Sequence, residues 1–450
     1  MYDANGDVIG EQDAKGAFTS YALNKSGNIV SITDALGYRT DVVYDNARNI
    51  IKITDPEGVS LSYAYNALGL KTSESTADGS QVKYSYDLKG NLIKTENADG
   101  TSEEKTYNSD NLVSEIKDKA DRKFKITYDS SLKKVSSITD NSGRVTKYSY
   151  DFMGQLTGKV YPDGLSESFE YDKLGRLVKA VSETGLVTRY KYDFSGYLLE
   201  KTESGQNKEV EKNESGNDES LVIGQNQESI TYRYSYDSNG NLVSETDPEG
   251  NVKTYTYNSL NYLSSLTDSN KNITKYGTDA LGNITAITDA LDNTTAYEFD
   301  LNKRLVSSKD AKGNIVKYAY NGAGKVTSVT DAKGNVTSYS YDSLERLAGV
   351  TNPVGAKSYF SYDKAGNLVE LKDALNKTYK FSYDKAGNNT GLELPNGAKT
   401  EYTYDDRNLV TRLKDAEGLI TDYSYDLRGR LLKESDNAGK TLEYKYTKEP

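Results

Sequence analysis

The chain has no cysteine, no histidine and no tryptophan among its 450 residues, and only 6 prolines and 2 methionines. Each absence closes a class of chemistry. Without cysteine there is no disulfide framework, no thiolate nucleophile and no thiolate zinc site. Without histidine there is no Ser-His-Asp triad, no imidazole base and no imidazole-ligated metal. Secretion stays open, because exported proteins need not carry disulfides. Long apolar runs are missing too. No stretch approaches 18 apolar residues, so no membrane-spanning helix is expected. The start, Met1-Tyr2-Asp3-Ala4-Asn5-Gly6, carries no basic or apolar segment and is read as lacking a signal peptide.

The charge balance points the same way. Lys plus Arg is 56 against 67 Asp plus Glu, a net of −11. The pI is near 5.0 and the mean hydropathy −0.74. Both signs are interspersed and no basic stripe stands out, so no nucleic-acid partner is expected. The hydropathy alone would fit a disordered chain. The distribution of aromatics argues against that. There are 39 Tyr but only 8 Phe, which no average globular domain shows.

The tyrosines are periodic. Tyr-Asp or Tyr-Asn recurs at Tyr44, Tyr65, Tyr86, Tyr107 and Tyr128, each 21 residues on. One extra residue shifts the next to Tyr150, followed by Tyr171 and Tyr192. The register resumes at Tyr236 and Tyr257 and runs through Thr278, Phe299 and Tyr320 to Tyr425 and Tyr446. With Tyr2, Leu23 and a degenerate Lys212 this makes 22 anchors and 21 repeats. The anchor is Tyr at 18 of 22 positions, and the next residue is Asp or Asn at 21 of 22. The acid or amide is thus held more tightly within the chain than the aromatic.

Turn chemistry explains the internal grammar. Each repeat holds two Asp-x-x-Gly units, such as Asp87-Leu88-Lys89-Gly90 and Asn97-Ala98-Asp99-Gly100. Asp or Asn opening a type I turn accepts a bond from the backbone two residues on. Gly at the fourth position supplies the positive φ that closes a hairpin. Asn111, Asn261 and Asn408 stand in for that Gly. Between turns lie segments of strand length. One carries Tyr-x-Tyr, as in Tyr84-Ser85-Tyr86, in period-2 alternation. The other opens on a residue that is apolar in 17 of 21 repeats, with a second apolar residue often three later, as at Ile32, Ile287 and Val329. A bulge accounts for a spacing of three, and so does burial on both faces. The sequence leaves both open.

The expected fold is therefore all-β. Tandem 21-residue β-hairpin repeats form one long antiparallel sheet that curls into a spiral shell or β-solenoid-like ribbon. About 42 strands at roughly 4.8 Å give a sheet on the order of 200 Å wide, which must curl, with a radius of roughly 30 Å for a single turn. The repeat array is expected to run continuously over 1–450. A degenerate repeat with a polar, mobile loop is expected at 203–229, and no separate effector or anchor domain. The residues that define the repeat are Tyr86, Asp87, Gly90 and Leu92; Tyr171, Asp172, Gly175 and Leu177; Tyr236, Asp237, Gly240 and Leu242; and Tyr425, Asp426, Gly429 and Leu431. Their expected role is structural. No catalytic residue, cofactor or metal ligand is expected, and no enzyme activity. Equivalent turn acids recur about 9.6 Å apart, too far to converge on calcium, whose ligands lie within roughly 5 Å of one another.

The unit Tyr171-Asp172-Lys173-Leu174-Gly175-Arg176-Leu177, with its counterparts from Tyr150 and Tyr425, resembles the YD repeat of Rhs proteins over essentially the whole chain. The resemblance implies a β-sheet ribbon wound into a hollow shell. Relatives include insecticidal toxin complex subunits, polymorphic Rhs toxins, wall-associated proteins and teneurins; in the toxins the shell encloses a C-terminal effector. It implies a structural shell or scaffold segment of a secreted or cell-surface protein. The partners are then the rest of a larger Rhs/YD-repeat polypeptide or its toxin cargo. Such relatives end the repeats in a boundary segment whose Asp residues in some members release the effector. The nearest fragments here, Asp55-Pro56-Glu57-Gly58 and Asp247-Pro248-Glu249-Gly250, sit in ordinary second-turn register and read as turns. The array begins and ends in mid-repeat and reads as a truncated one. The alternative is a cell-surface adhesin or carbohydrate-binding module that uses its tyrosines, although these fit cross-strand packing better. Self-association through the unpaired edges of the terminal strands is a third expectation.

Overall fold

The computed structural model describes residues 1–205, 208–212, 219–223 and 229–446. Among the described residues all regular structure is β, in 42 strands, of which forty belong to one antiparallel sheet. The chain is all-β and built from hairpin repeats. Each repeat contributes a strand that ends on its anchor Tyr and a shorter one that follows the first turn. Gln81–Tyr86 and Leu92–Glu96 are one such pair.

The two hairpins of a repeat differ in register. Across the second turn the pairing is regular, as in Ser73↔Lys83, Glu74↔Val82 and Ser75↔Gln81. Across the first turn it slips by one residue: Tyr84↔Thr95 and Ser85↔Lys94, but Tyr86↔Leu92. Ile93 is the extra residue of a β-bulge. The same slip recurs from repeat to repeat, for example in the hairpins closed at Tyr171, Tyr236 and Tyr404. Of the two explanations for the three-residue apolar spacing, the bulge is the one realised. Tyr21 faces Ile32 and Leu23 faces Ile29. All four side chains therefore lie on one face, because the inserted Val30 absorbs the odd step.

That face is half-covered and the opposite face exposed. The strands Gln81–Tyr86 and Val336–Tyr341 alternate strictly between the two states. Among the described residues only Gly10, Ala17, Ser31, Val187 and Gly349 are buried. The accessible surface is 27,662 Å², whereas a globular protein of this mass exposes about 17,000 Å². The sheet is a single layer without a sandwiched core. Its cohesion comes from the ladder and from cross-strand pairs.

Two compact units divide the chain: Met1–Arg122 with Tyr276–Thr421, and Lys123–Lys275 with the residues from Asp422 onward. Within the first unit, second turns of the early segment meet first turns of the late one. Lys15 pairs with Asp279. Asn302 Nδ2 donates to Asp34 Oδ2 at 2.7 Å, and Gly322 N to Glu57 Oε1 at 3.0 Å. Lys385 Nζ donates to Asp121 Oδ2 at 3.1 Å, and Arg122 Nη1 to the Asp406 carbonyl at 3.0 Å. The second unit repeats this polarity. The first-turn Arg428 donates from Nη2 to Glu183 Oε1 at 2.6 Å, and its Nε lies 3.5 Å from Asp163 Oδ2.

Leu198–Ser204 pairs directly with Ile230–Tyr236, from Glu200↔Arg233 to Glu203↔Ile230. Between them, Lys208–Lys212 and Glu219–Ile223 form a separate two-stranded sheet. The degenerate repeat and mobile loop expected at 203–229 thus fall partly outside the described residues, at 206–207, 213–218 and 224–228.

Candidate functional site

The same Asp-centred chemistry recurs at both turns of the repeat. In the repeat from Tyr86, Asp87 Oδ1 accepts from the backbone N–H groups of Lys89 at 2.8 Å and Asn91 at 2.9 Å. Asp87 N donates to the Asn91 carbonyl, and Gly90 N to the Asp87 carbonyl. Gly90 stands at φ +87°, and Gly175, Gly240 and Gly429 fall between +82° and +85°. The Asp holds five residues in place, and the Gly reverses the chain at its left-handed position. Asn111, Asn261 and Asn408 take that conformation as the sequence suggested, at φ 61–64°. So do Arg48, Lys133, Lys271, Lys303 and Glu345. The bracing hydrogen bonds hold these side chains in a conformation that costs about 1–2 kcal/mol.

The second carboxylate oxygen is occupied as well. Asn91 Nδ2 donates to Asp87 Oδ2 at 2.9 Å, and Asn241 Nδ2 to Asp237 Oδ2 at 3.0 Å. These side-chain bonds are the chief reason both carboxyls lie below the usual carboxylate range. Where Arg replaces the Asn it does more. Arg176 Nε donates to Asp172 Oδ2 at 2.7 Å, and its Nη1 to the carbonyl of Asp193, in the next repeat, at 2.7 Å. Its guanidinium covers the Tyr192 ring at 5.0 Å. Asp172 is lowered first by the Arg176 backbone N–H and further by that guanidinium. Arg304 and Arg346 repeat the arrangement over Tyr320 and Tyr362. Arg430 donates to Asp426 Oδ2 and lies over Tyr446.

The anchor tyrosines carry the contact that sequence reasoning missed. Tyr86 OH donates to the Lys71 carbonyl at 2.8 Å, and Tyr171 OH to the Leu156 carbonyl at 2.9 Å. Where an anchor hydroxyl makes this bond, the acceptor is the leading residue of the preceding repeat's bulged strand, fifteen positions back. Leu92, Leu177, Leu242 and Leu431 therefore have two roles. Leu92, Leu177 and Leu242 each pair opposite their own anchor Tyr. The carbonyls of all four accept from the next one: Tyr107, Tyr192, Tyr257 and Tyr446. A bulge breaks the ladder at that carbonyl, and the hydroxyl supplies the donor. A signal was present in the sequence. Phe replaces the first Tyr of Tyr-x-Tyr at Phe169, Phe360 and Phe381, but the anchor only at Phe299. Tyr236 stacks on Tyr197 with centroids 5.0 Å apart, and Tyr425 ends the strand Ile420–Tyr425.

Asp55 and Asp247, in the two Asp-Pro-Glu-Gly fragments, each close an ordinary turn. Gly58 N and Gly250 N donate to their carbonyls at 3.0 Å, and Val59 N and Asn251 N to their Oδ1 atoms. Among the described residues no group of three or more acids is arranged to hold a metal ion. No helix among them is long and apolar enough to cross a membrane.

Comparison with known proteins follows this geometry. The family profile described as teneurin YD-shell matches residues 70–210 and 293–414, more than half of the chain. The RHS repeat profile matches 2–39, 24–60, 44–81, 236–273 and 404–441. Double-stranded DNA deaminase toxin A of Burkholderia cenocepacia is 28% identical over 145 residues, covering 27% of this chain. The chain spans about a tenth of that protein's length. The crystal structure of TcdB2-TccC3 without its hypervariable C-terminal region covers 97% of this chain at TM-score 0.59 and 15% identity. A Photorhabdus luminescens Tc holotoxin pore covers 96% at 0.55 and 14%. The chain spans only 27% and 26% of those two chains.

Proposed function

This chain belongs to the teneurin YD-shell family, and on that premise we propose that it is a wall segment of a larger, exported Rhs/YD-repeat protein. In this reading it encloses a toxin cargo carried by the same polypeptide, and it works outside the cell or at the cell surface. It performs no catalysis itself. The observation that carries the reading is the engagement of the repeat's polar groups by the repeat itself. The turn carboxylates are held on both oxygens. Anchor hydroxyls such as those of Tyr171 and Tyr192 are spent on bulge carbonyls. Groups so engaged make a stiff wall and leave no nucleophile–base pair poised for substrate.

Small-angle X-ray scattering on the purified chain tests this. A distance distribution with an internal solvent void is expected. A solid particle or an extended flexible one would overturn the wall reading. A glycan array adds the competing arm: binding that is lost when exposed tyrosines such as Tyr359 are changed would replace the wall with a carbohydrate-binding module.

A further inference from the structure

In the first unit, where second turns of the early segment meet first turns of the late one, acids are answered by donors. Lys15 pairs with Asp279, Asn302 donates to Asp34 and Lys385 to Asp121. At the Asp55 turn an acid faces an acid: the carboxyl of Glu345 lies within hydrogen-bonding reach of the carboxyl of Asp55. Both residues are half-buried, and both are unusual for their places in the repeat. Asp55 Oδ1 accepts from Glu57 N at 3.0 Å and Val59 N at 2.8 Å. The fifth turn position holds Val59, whose side chain has no donor, where Asn251 and Asn314 donate to the second oxygen of their own Asp. Glu345 takes the place of the turn glycine, at φ 59°, a conformation that favours glycine. The two segments are close-set here. A Cβ on Gly322 would stand 2.7 Å from Pro56 Cβ and 2.8 Å from Tyr38 Cδ1.

The charges around the pair are engaged elsewhere or weakly placed. Glu57 Oε1 takes Gly322 N at 3.0 Å. Asp342 is held by Arg346 Nε at 2.8 Å, and Asp78 accepts from Thr76 and Ser80. Lys325 Nζ lies 3.6 Å from Glu345 Oε2, a partly exposed contact of little strength. Two ionised carboxylates so placed repel, whereas one proton between them makes a hydrogen bond. We infer that the Asp55–Glu345 contact is an acid-closed latch: a proton shared by the two carboxyl groups draws the early and late segments together, and its loss at higher pH loosens them. The hydrogen bond to Asp55, and then burial, hold the Glu345 carboxyl above the usual glutamate range, against the smaller opposing effect of Lys325. A raised folded value gives stability that is complete below the ordinary 4.5 and is lost as pH rises through the folded value. The turn acids such as Asp87 and Asp331 have the opposite sign, because they brace their turns in the charged form. A groove of about 540 Å³ lined by Glu57, Val59, Tyr341, Asp342 and Glu345 opens beside the pair and gives solvent protons access.

Amide hydrogen exchange on the full chain, read by mass spectrometry at about pH 5 and about pH 8 and corrected for the chemical exchange rate, tests the latch. The reporters are the turns at Asp55–Val59, Asn321–Lys325 and Asp342–Arg346, where Gly322 N–H itself donates across the joint. The turn Asp172–Arg176, in the second unit, is the reference. In the unmodified chain the reporters should exchange several-fold more slowly at the lower pH, relative to the reference. Glu345→Gln keeps a donor for Asp55 at every pH, so it should show the slow exchange at both. Glu345→Gly restores the residue that the backbone conformation favours and removes the acid, so its reporters should not respond to pH. Reporters in the unmodified chain that exchange equally at the two pH values would overturn the inference. So would a pH response that survives in Glu345→Gly, or Glu345→Gln exchanging as fast as the unmodified chain at about pH 8.

Discussion

Removing one anchor hydroxyl should loosen two neighbouring repeats, while removing a hydroxyl two residues away should do nothing. The matched pair is Tyr341→Phe and Tyr339→Phe, in the single strand Val336–Tyr341. Tyr341 OH donates to the Val326 carbonyl at 2.7 Å, at the bulge where Tyr320 pairs with Val326. Tyr339 faces Val350 across the ladder, and its ring contributes by packing. A net protein hydrogen bond contributes about 0.5–1.5 kcal/mol, and Tyr341 is only half-covered, so water partly replaces the lost donor. About 1 kcal/mol is expected for Tyr341→Phe and close to zero for Tyr339→Phe. A long repeat array does not unfold as one two-state unit. The assay is therefore local: amide hydrogen exchange followed by mass spectrometry over Val326–Thr330 and Val336–Tyr341. A loss of about 1 kcal/mol speeds exchange there about fivefold, and repeats several strands away should not change. Equal protection in the two variants would refute the hydroxyl's role and return the anchor to a purely packing residue.

Three further outcomes follow from the turns of the repeat. Arg346→Lys keeps the charge but loses the fork that joins Asp342, the Asp363 carbonyl and the Tyr362 ring; a local loss of about 1–2 kcal/mol is expected in the same exchange assay. Gly334 stands at φ +84° with open space around it, so Gly334→Asn should be nearly neutral in chemical denaturation. Gly334→Val should cost about 1–2 kcal/mol through backbone strain alone. The carboxyls of Asp87, Asp237, Asp310 and Asp331 are held below their ordinary value chiefly by Asn side-chain donors. A lowered folded pKa gives stability that is complete above the unfolded carboxylate value of about 4 and is lost as pH falls through the folded values. The array should therefore be stable at neutral pH and lose near-ultraviolet tyrosine dichroism below about pH 4. Replacing several of these Asp residues by Asn should flatten that acid transition; an unchanged midpoint would contradict the assignment.

Most of the fold was legible because the repeat is written in residues with few conformational options. Asp-x-x-Gly specifies its turn locally, and Gly90 and Gly175 sit where the motif requires. Alternation placed Tyr84 and Tyr86 on one face. The bulge was only half-legible: the spacing of Ile29 and Ile32 demanded either a slip or two buried faces, and only pairing decides between them. The hydroxyl contact at fifteen residues was hidden for a different reason. It joins two hairpins, and its acceptor is a backbone carbonyl, which leaves no trace in side-chain identity at Leu92 or Lys71. The joining of turns within each unit was equally invisible, since Asp34 and Asn302 lie more than two hundred residues apart with no pattern linking them.

A one-residue irregularity in the array shows how such a chain can change length over evolutionary time. Between Tyr128 and Tyr150 the interval is 22 residues. The additional residue is taken up inside the turn, where Lys133 N donates to the Asp129 carbonyl and Asp129 N to the Lys134 carbonyl. Beyond it the count is restored: Tyr150 OH still reaches the Val135 carbonyl, fifteen positions back, at 2.9 Å. Single insertions are thus quarantined in the turns, and the tyrosine clamp answers only to its immediate neighbour. Recombination can duplicate or excise whole units without leaving a donor or carbonyl unanswered on either side of the join. A wall of this kind grows by copying its own bricks, and its gene should tolerate changes of repeat number far better than changes of phase.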